Sequence, residues 1–150
     1  MATVGDLDLR DEYAFLPQSA VLSDVSKALI PVKNSAVLLR KKKNGPVLGI
    51  VKVNHLLRAL KSGKDPSKVL ATSIMDENLL RIKSTTPLEK SQSIVLERQP
   101  AGIIVLDENN LFLGYLSPND YISYAQEEFD DNSMLSDTIG SDVNLRDEYA

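Results

Sequence analysis

Short apolar runs separated by turn residues divide the first half of the chain into five elements. Continuous runs of four or five apolar residues are typical of buried strands, whereas apolar residues spaced by three or four positions indicate a helix that faces a core. The Asn-Gly step at Asn44 is typical of a hairpin turn. The predicted order is a strand at 13–16 stopped by Pro17, a helix at 20–30 closed by Pro31, strands at 36–39 and 47–51, and a helix at 54–61.

The second half of the chain repeats this order. Its predicted elements are a strand at 79–82, a helix at 87–96, strands at 102–106 and 111–116, and a helix from Pro118 to about 126. Leu22 corresponds to Leu88 at an offset of 66, and Gly49 to Gly114 at an offset of 65. A βαββα unit therefore occurs twice. Below roughly 70–80 residues a single core is marginal, so the two units are predicted to pack through their sheets.

The predicted fold class is α+β, with tandem βαββα repeats related by a pseudo-twofold axis. We expect a leader at 1–11, a first repeat at 12–61, a linker at 62–78 and a second repeat at 79–126. Residues 127–150 are predicted to form a flexible acidic tail.

Composition excludes several kinds of site. The chain has no cysteine, so disulfides, thiolate zinc sites and cysteine nucleophiles are ruled out. His55 is the only histidine, and a zinc site built from imidazoles needs several. Paired acids such as Asp107-Glu108 and Asp130-Asp131 lie in a predicted turn and in the tail, where acids are normally solvated, so we expect neither catalysis nor a metal site. The start of the chain does not resemble a signal peptide and no apolar run is long enough to span a membrane, which predicts a cytoplasmic protein.

Charge is strongly segregated along the chain. Residues 27–68 contain eleven Lys or Arg and one acidic residue, a net charge of +10, whereas residues 127–150 have a net charge of −7. A basic block of this kind either binds phosphates, nucleic acid or an acidic partner, or is a solvated face balanced by the acidic tail. No aromatic residue lies beside the run at 40–43, so base stacking is not supported and nucleic-acid contacts would be mainly to phosphates.

The duplicated unit resembles the CBS (cystathionine β-synthase) domain pair, also called a Bateman module. The resemblance rests on the order and spacing of the elements and on the segments LGIV at 48–51 and LGYLSPND at 113–120. It covers roughly residues 12–126. The resemblance implies a regulatory module that binds AMP, ADP, ATP or S-adenosylmethionine between the repeats and forms a homodimer.

Ser117 and Asp120 match the ligand motif of that family, a glycine, two apolar residues, a hydroxyl residue, two further residues and an aspartate. A hydroxyl at a helix N-terminus lies where phosphate is favoured, and a carboxylate one turn on can accept bonds from two ribose hydroxyls. A Ser-x-x-Asp sequence before an apolar helix is also an ordinary capping pair. Both roles are open to the same two residues.

The resemblance implies that the first repeat completes the cleft of Ser117. By position, the lining residues would be Glu12 and Tyr13 at the first strand and Lys33 and Asn34 before the second. Tyr13 would contact adenine and Lys33 a phosphate; a core tyrosine and a solvated lysine are the alternatives.

The first repeat departs from the motif, with Lys52 in place of the hydroxyl and His55 in place of the aspartate. A neutral imidazole has one acceptor nitrogen, so bidentate ribose binding is lost. The second cleft is therefore expected either to be empty or to have become an anion site formed by Lys52 and His55. Its other lining residues, carried over by position, would be Leu80, Pro100 and Ala101.

A second repeat concerns the two ends of the sequence. Residues 9–14, Leu-Arg-Asp-Glu-Tyr-Ala, recur as residues 145–150, and both copies follow a Thr, an aliphatic residue and a Gly. The tail copy is either a remnant of duplication, or it can take the place of the first strand in its own or a neighbouring subunit. No change in ligand affinity or assembly on deleting residues 127–150 would exclude the second interpretation.

The preferred function is that of a non-catalytic sensor, in which a bound adenosine nucleotide favours one arrangement of the repeats and acts through an unidentified partner protein. The alternative is a ligand-independent scaffold that uses the basic segment 27–68 to bind a polyanion, either nucleic acid or an acidic protein.

Overall fold

The computed structural model describes residues 2–7, 12–31 and 34–136, with the backbone alone for 128–136. The first repeat consists of β1 Tyr13–Pro17, α1 Leu22–Leu29, β2 Ala36–Arg40, β3 Val47–Val51 and α2 Val53–Lys61. The second consists of β4 Leu79–Lys83, α3 Leu88–Arg98, β5 Gly102–Leu106, β6 Phe112–Leu116 and α4 Pro118–Ser136. Two short 3-10 helices, Val4–Asp6 and Ala71–Ser73, precede the repeats. Within the described residues no helix is long and apolar enough to cross a membrane.

Each repeat forms one three-stranded sheet, in the order β1-β2-β3 or β4-β5-β6. The first pair of strands in each sheet is parallel and the second is antiparallel. Each antiparallel pair also contains a register shift at the equivalent place, between Leu39 and Arg40 in the first sheet and between Val105 and Leu106 in the second. The predicted α+β fold of two βαββα repeats is therefore confirmed.

Side-chain alternation along the strands produces a layered core. One face of each sheet packs on the helices of its own repeat. The other faces meet in a third cluster that joins the repeats, with Leu38 and Ile50 from one sheet and Ile104 and Tyr115 from the other. Gly102 leaves room at this interface, because a Cβ there would lie 3.0 Å from Ile50 Cδ1 and from a carbon of the Tyr115 ring. The two sheets thus share one core.

The segments before the repeats pack crosswise. The leader docks on the second repeat, where Val4 N–H donates to Thr86 O at 2.9 Å and the fully buried Val4 joins the core. The linker docks on the first repeat, where Leu22 N–H donates to Val69 O at 3.0 Å and Ala71 is buried. Each segment therefore closes the repeat that it does not immediately precede.

Helix ends differ from the prediction where tertiary contacts intervene. α1 begins at Leu22 rather than at 20, because Val21 is extended and forms a bridge with Leu70. α4 continues beyond 126 to Ser136, through a stretch without Pro or Gly. The domain boundaries stay predictions. Residues 8–11, Lys33 and residues 137–150, with the tail copy of the repeated segment, lie outside the described residues.

Candidate functional site

Ser117 lies at the junction between β6 and α4, where the structure shows it in a capping role. Its Oγ accepts a hydrogen bond from the backbone N–H of Asp120 at 3.2 Å, and its carbonyl accepts one from Tyr121 N–H at 2.9 Å. Pro118 occupies the first helical position, where the absence of an N–H costs nothing. Asp120 lies in the first turn and is partly buried. A hydroxyl and a carboxylate therefore share the positive end of α4.

Glu12 and Tyr13 are held beside the entry to β2. The carbonyl of Glu12 accepts hydrogen bonds from the backbone N–H and the hydroxyl of Ser35, both at 3.1 Å. Asn34, next to Ser35, donates its side-chain N–H to Ala28 O at 3.0 Å and so fixes the end of α1. The structure thus brings Glu12, Tyr13 and Asn34 together at the N-terminal ends of the parallel strands β1 and β2.

Tyr13 packs in an aromatic cluster between the sheets. Its ring centroid lies 5.2 Å from that of Phe15, 5.3 Å from Phe112 and 6.2 Å from Tyr115, each in an edge-on arrangement. Burial raises the pKa of Tyr13, and the charge of Arg40 partly offsets this effect. Tyr115 is two residues before Ser117, so the ring of Tyr13 links the first repeat to the strand that leads into α4. Its contact with adenine stays a prediction.

The corresponding junction of the first repeat lies between β3 and α2. Its cap is His55, one of the two residues that depart from the ligand motif. His55 Nδ1 accepts the backbone N–H of Lys52 at 2.9 Å, which requires the neutral imidazole with its proton on Nε2. Nε2 lies 3.9 Å from Asp76 Oδ2. Burial lowers the pKa of His55 and that of Lys52, and Asp76 opposes both shifts.

The linker covers this same junction. Ile50 and Asp76 exchange backbone hydrogen bonds of 3.0 and 2.8 Å, so the linker adds to the edge of β3. Met75 lies so close to Gly49 that a Cβ on the glycine would be 2.5 Å from its Sδ. The sequence pattern carries no signal for Asp76 or Met75, because their role depends on the path of the linker across the sheet.

The three residues carried over to the second cleft occupy different surroundings. Leu80 is buried among the helices of its own repeat, and its neighbour Leu79 is the residue that faces the first repeat. Pro100 lines a small cavity between α3 and α4. Ala101 is partly buried at the interface between the sheets. Strand alternation explains why Leu80 and not Leu79 faces the helices, because adjacent residues of β4 point to opposite faces of the sheet.

Two βαββα repeats joined through their sheets are the architecture of a CBS-domain pair, and the comparison with solved structures shows the same fold. No protein-family model matches the sequence, and no curated protein matches it.

The similar structures include three with a bound nucleotide. CBSX2 in complex with AMP has 20% identity and a TM-score of 0.62 over 85% of this chain and 98% of its own. A CBS domain protein from Pyrobaculum aerophilum complexed with AMP has 19% identity and a TM-score of 0.64 over 79% and 88%. The cytosolic domain of the Mg²⁺ channel MgtE in complex with ATP has 16% identity and a TM-score of 0.63 over 81% and 48%. At these identities the likeness establishes the fold.

Proposed function

We propose that the protein is a regulatory module that binds an adenosine nucleotide at the β6–α4 junction and acts through a partner protein. The observation that carries the proposal is the position of Ser117 and Asp120 at the N-terminus of α4, directly after β6, whose Tyr115 lies against Tyr13 of the other repeat. AMP and ATP in three proteins of the same fold support this ligand class. S-adenosylmethionine has no such support and stays a prediction, as do the cytoplasmic location and the absence of catalysis.

The chemistry of the two side chains suits the two polar parts of a nucleotide. A hydroxyl both donates and accepts, so Ser117 can cap α4 and also donate to a phosphate oxygen. The positive end of the helix adds favourable electrostatics for that phosphate. The carboxylate of Asp120 accepts from the two ribose hydroxyls. Glu12, Lys33 and Asn34 complete the proposed cleft from the other repeat.

The first repeat supplies no equivalent site in this proposal. The capping bond of His55 uses its acceptor nitrogen, and the linker lies over Gly49. The proposed stoichiometry is therefore one nucleotide per chain, with the second cleft empty. Phosphate binding by Lys52 and His55 is the alternative, and it would appear as a second binding event.

Thermal unfolding with millimolar AMP, ADP, ATP, S-adenosylmethionine and NAD tests the proposal. A ligand at a hundredfold excess over its Kd stabilises the native state by about 2.7 kcal/mol. Asp120→Ala should abolish the shift. Asp24→Ala is the matched control, because the Asp24 carboxylate caps α1 by accepting Val21 N–H at 3.0 Å. It should lower the melting temperature and leave the ligand shift intact. No shift with any ligand, in a folded protein, would refute nucleotide binding.

We further propose that the protein forms a homodimer through its helices. Both repeats expose large apolar side chains at equivalent positions: Ile30 and Leu96 are 74% and 69% exposed, and Leu57 and Ile122 are 59% and 47% exposed. Two matching apolar patches favour a symmetric interface. Leu57→Glu should convert a dimer to a monomer in analytical ultracentrifugation, whereas Leu111→Glu, at an exposed hairpin position, should leave it dimeric. A wild-type monomer would exclude the homodimer.

The scaffold alternative rests on the exposed lysines at 41–43 in the turn between β2 and β3. If they bind a polyanion, replacing all three by Gln should abolish binding to heparin or duplex DNA at low salt, while Asp120→Ala should have no effect. Affinity should fall steeply with salt. Binding of heparin or duplex DNA that is unchanged by the replacement of the three lysines would exclude the scaffold alternative.

A further inference from the structure

A cavity of about 840 Å³ opens between the two hairpin turns, at the opposite end of the strands from Ser117. Asn44 and Asn110 line it from equivalent positions of the two turns, with φ angles of 64° and 65°. The cavity therefore lies where the pseudo-twofold axis leaves the molecule, and both repeats form its walls. Its volume is within the range of about 300–1,000 Å³ that is usual for small-molecule sites.

The walls of the cavity are mostly apolar. The apolar lining includes Phe15, Val47, Ile104, Leu106 and Phe112. A site of this composition can hold the hydrocarbon or aromatic part of a ligand and shield it from water.

Two arginines supply the polar chemistry of the cavity. Arg40 lies over the ring of Phe15, with Cζ 3.8 Å from the ring centroid. The guanidinium of Arg81 donates to the carbonyl of Val47 in the other repeat. In the part of the chain that the structure describes, neither arginine forms a salt bridge with a carboxylate. In the second turn, the carboxylate of Asp107 accepts the backbone N–H groups of Asn109 and Leu111.

We propose that this cavity binds a small organic anion with an apolar or aromatic body. The carboxylate, sulfonate or phosphate group lies on Arg40 and Arg81, and the body packs against Phe112 and Ile104. Guanidinium groups recognise such oxyanions through two parallel hydrogen bonds. Arg40 is held in place by the Phe15 ring, and Arg81 by the Val47 carbonyl, so little side-chain freedom is lost on binding. The ligand touches both repeats and favours their observed arrangement, independently of the nucleotide site.

Fluorescence titration with anilinonaphthalene sulfonate, an aromatic anion that brightens in apolar surroundings, tests the proposal on the full chain. Saturable binding of one dye per chain is expected. Arg81→Gln should weaken it at least tenfold, and this exposed residue can be replaced without disturbing the core. Arg40→Gln should act in the same direction. Phenylnaphthylamine, which has the same rings without the sulfonate, should bind the wild type and both variants within a factor of two.

Two controls separate the cavity from other dye sites. Arg98→Gln removes an arginine whose side chain lies outside the cavity and donates to Leu79 O at 3.2 Å, and it should leave the titration unchanged. Leu57→Gln and Ile122→Gln, on the helical face proposed for the homodimer and outside the cavity, should also leave the number of dyes bound per chain unchanged. Dye affinity that is unaffected by both cavity variants, or that falls equally in Arg98→Gln, would overturn the proposal. So would dye-induced NMR shifts confined to α2 and α4 rather than to the two turns.

Discussion

The Nδ1 atom of His55 accepts a hydrogen bond from the backbone N–H of Lys52 at 2.9 Å, at the start of α2. Helix N-termini are usually capped by Ser, Thr, Asp or Asn. His55, at the third helical position, instead accepts the N–H of the N-cap residue Lys52, as Glu or Gln does in a capping box, and it corresponds to Asp120 of the second repeat. The residue that stands where the proposed site has its carboxylate therefore still caps the helix.

The stability of the protein should decrease on mild acidification because of this cap. Burial lowers the pKa of His55 below its ordinary value of 6.5, so the folded state binds a proton less readily than the unfolded state. The contribution of neutral His55 is fully present above pH 6.5 and is lost as the pH falls through the lower folded pKa. Protonation of Nδ1 also breaks the bond to Lys52 N–H. Urea unfolding between pH 7.5 and about 4.5 would measure the loss.

His55→Ala is the control for that pH dependence. It should cost about 0.5–2 kcal/mol at neutral pH, the usual range for a lost cap, and flatten the part of the pH profile that His55 produces. Carboxylates also titrate towards the acid end, so the difference between wild type and variant is the informative quantity. Parallel profiles would show that His55 is not the titrating group.

Ser91 and Tyr121 form a buried polar pair in the core of the second repeat. Ser91 Oγ donates to Leu88 O at 2.7 Å, so the Tyr121 hydroxyl is the donor to Ser91. Tyr121→Phe or Ser91→Ala should each cost about 1–3 kcal/mol, because one buried group loses its partner. The double variant should cost clearly less than the sum, as a double-mutant cycle would show.

The first repeat shows why that result is expected. It has apolar residues, Val25 and Leu56, at the positions equivalent to Ser91 and Tyr121, and both are buried. The fold therefore accepts an apolar pair at this place. Additive single and double effects would mean that the two hydroxyls do not interact in solution.

Gly49 should be intolerant of substitution because the linker lies against it. A Cβ would be 2.5 Å from Met75 Sδ and 3.1 Å from the carbonyl oxygen of Asp76. Gly49→Ala should destabilise the protein by about 1–3 kcal/mol through overpacking. Met75→Ala in the same chain should recover part of the loss. Chemical denaturation of the three variants gives the comparison, and a neutral Gly49→Ala would show that the linker leaves β3 in solution.

The docked leader permits a test of the repeated terminal segment. Val4→Asp buries a charge against the second repeat and should destabilise it strongly. Residues 138–140 repeat the Thr-aliphatic-Gly of residues 3–5. If the tail copy can replace the leader, Val4→Asp should cost more in a chain that also carries Ile139→Asp than in a chain with the intact tail. Equal costs, measured by thermal unfolding, would exclude replacement.

Much of the fold follows from local pattern. The apolar runs at 36–39 and 102–105 are buried on both faces, which makes these strands evident in the sequence. The offset between Gly49 and Gly114 reveals the duplication. The local pattern predicts the start of α1 and the end of α4 less accurately. Val21 is withdrawn from α1 by pairing with Leu70, a residue almost fifty positions away, which no local window contains.

The candidate site was predictable in part for the same reason. Ser117 and Asp120 are close in sequence, so a motif contains both of them. The surroundings of Tyr13 and His55 depend on residues that are distant in sequence. Phe112 and Tyr115 pack against the tyrosine, and Asp76 faces the histidine. Leu80 shows that a residue carried over by position must be assigned without an error of even one residue, because a shift of one residue along a strand exchanges the two faces of the sheet.

By itself the sequence determined the order of strands and helices, the duplication and the first turn of α4, because hydrophobic period, turn residues and capping residues act over a few positions. Only the tertiary structure decided that the leader and the linker cross to the opposite repeats, that the linker covers one motif position while Ser117 begins a helix at the other, and that two arginines from different repeats line one cavity. These features arise from contacts between distant residues, and their energies exist only once both sheets have packed on a common core.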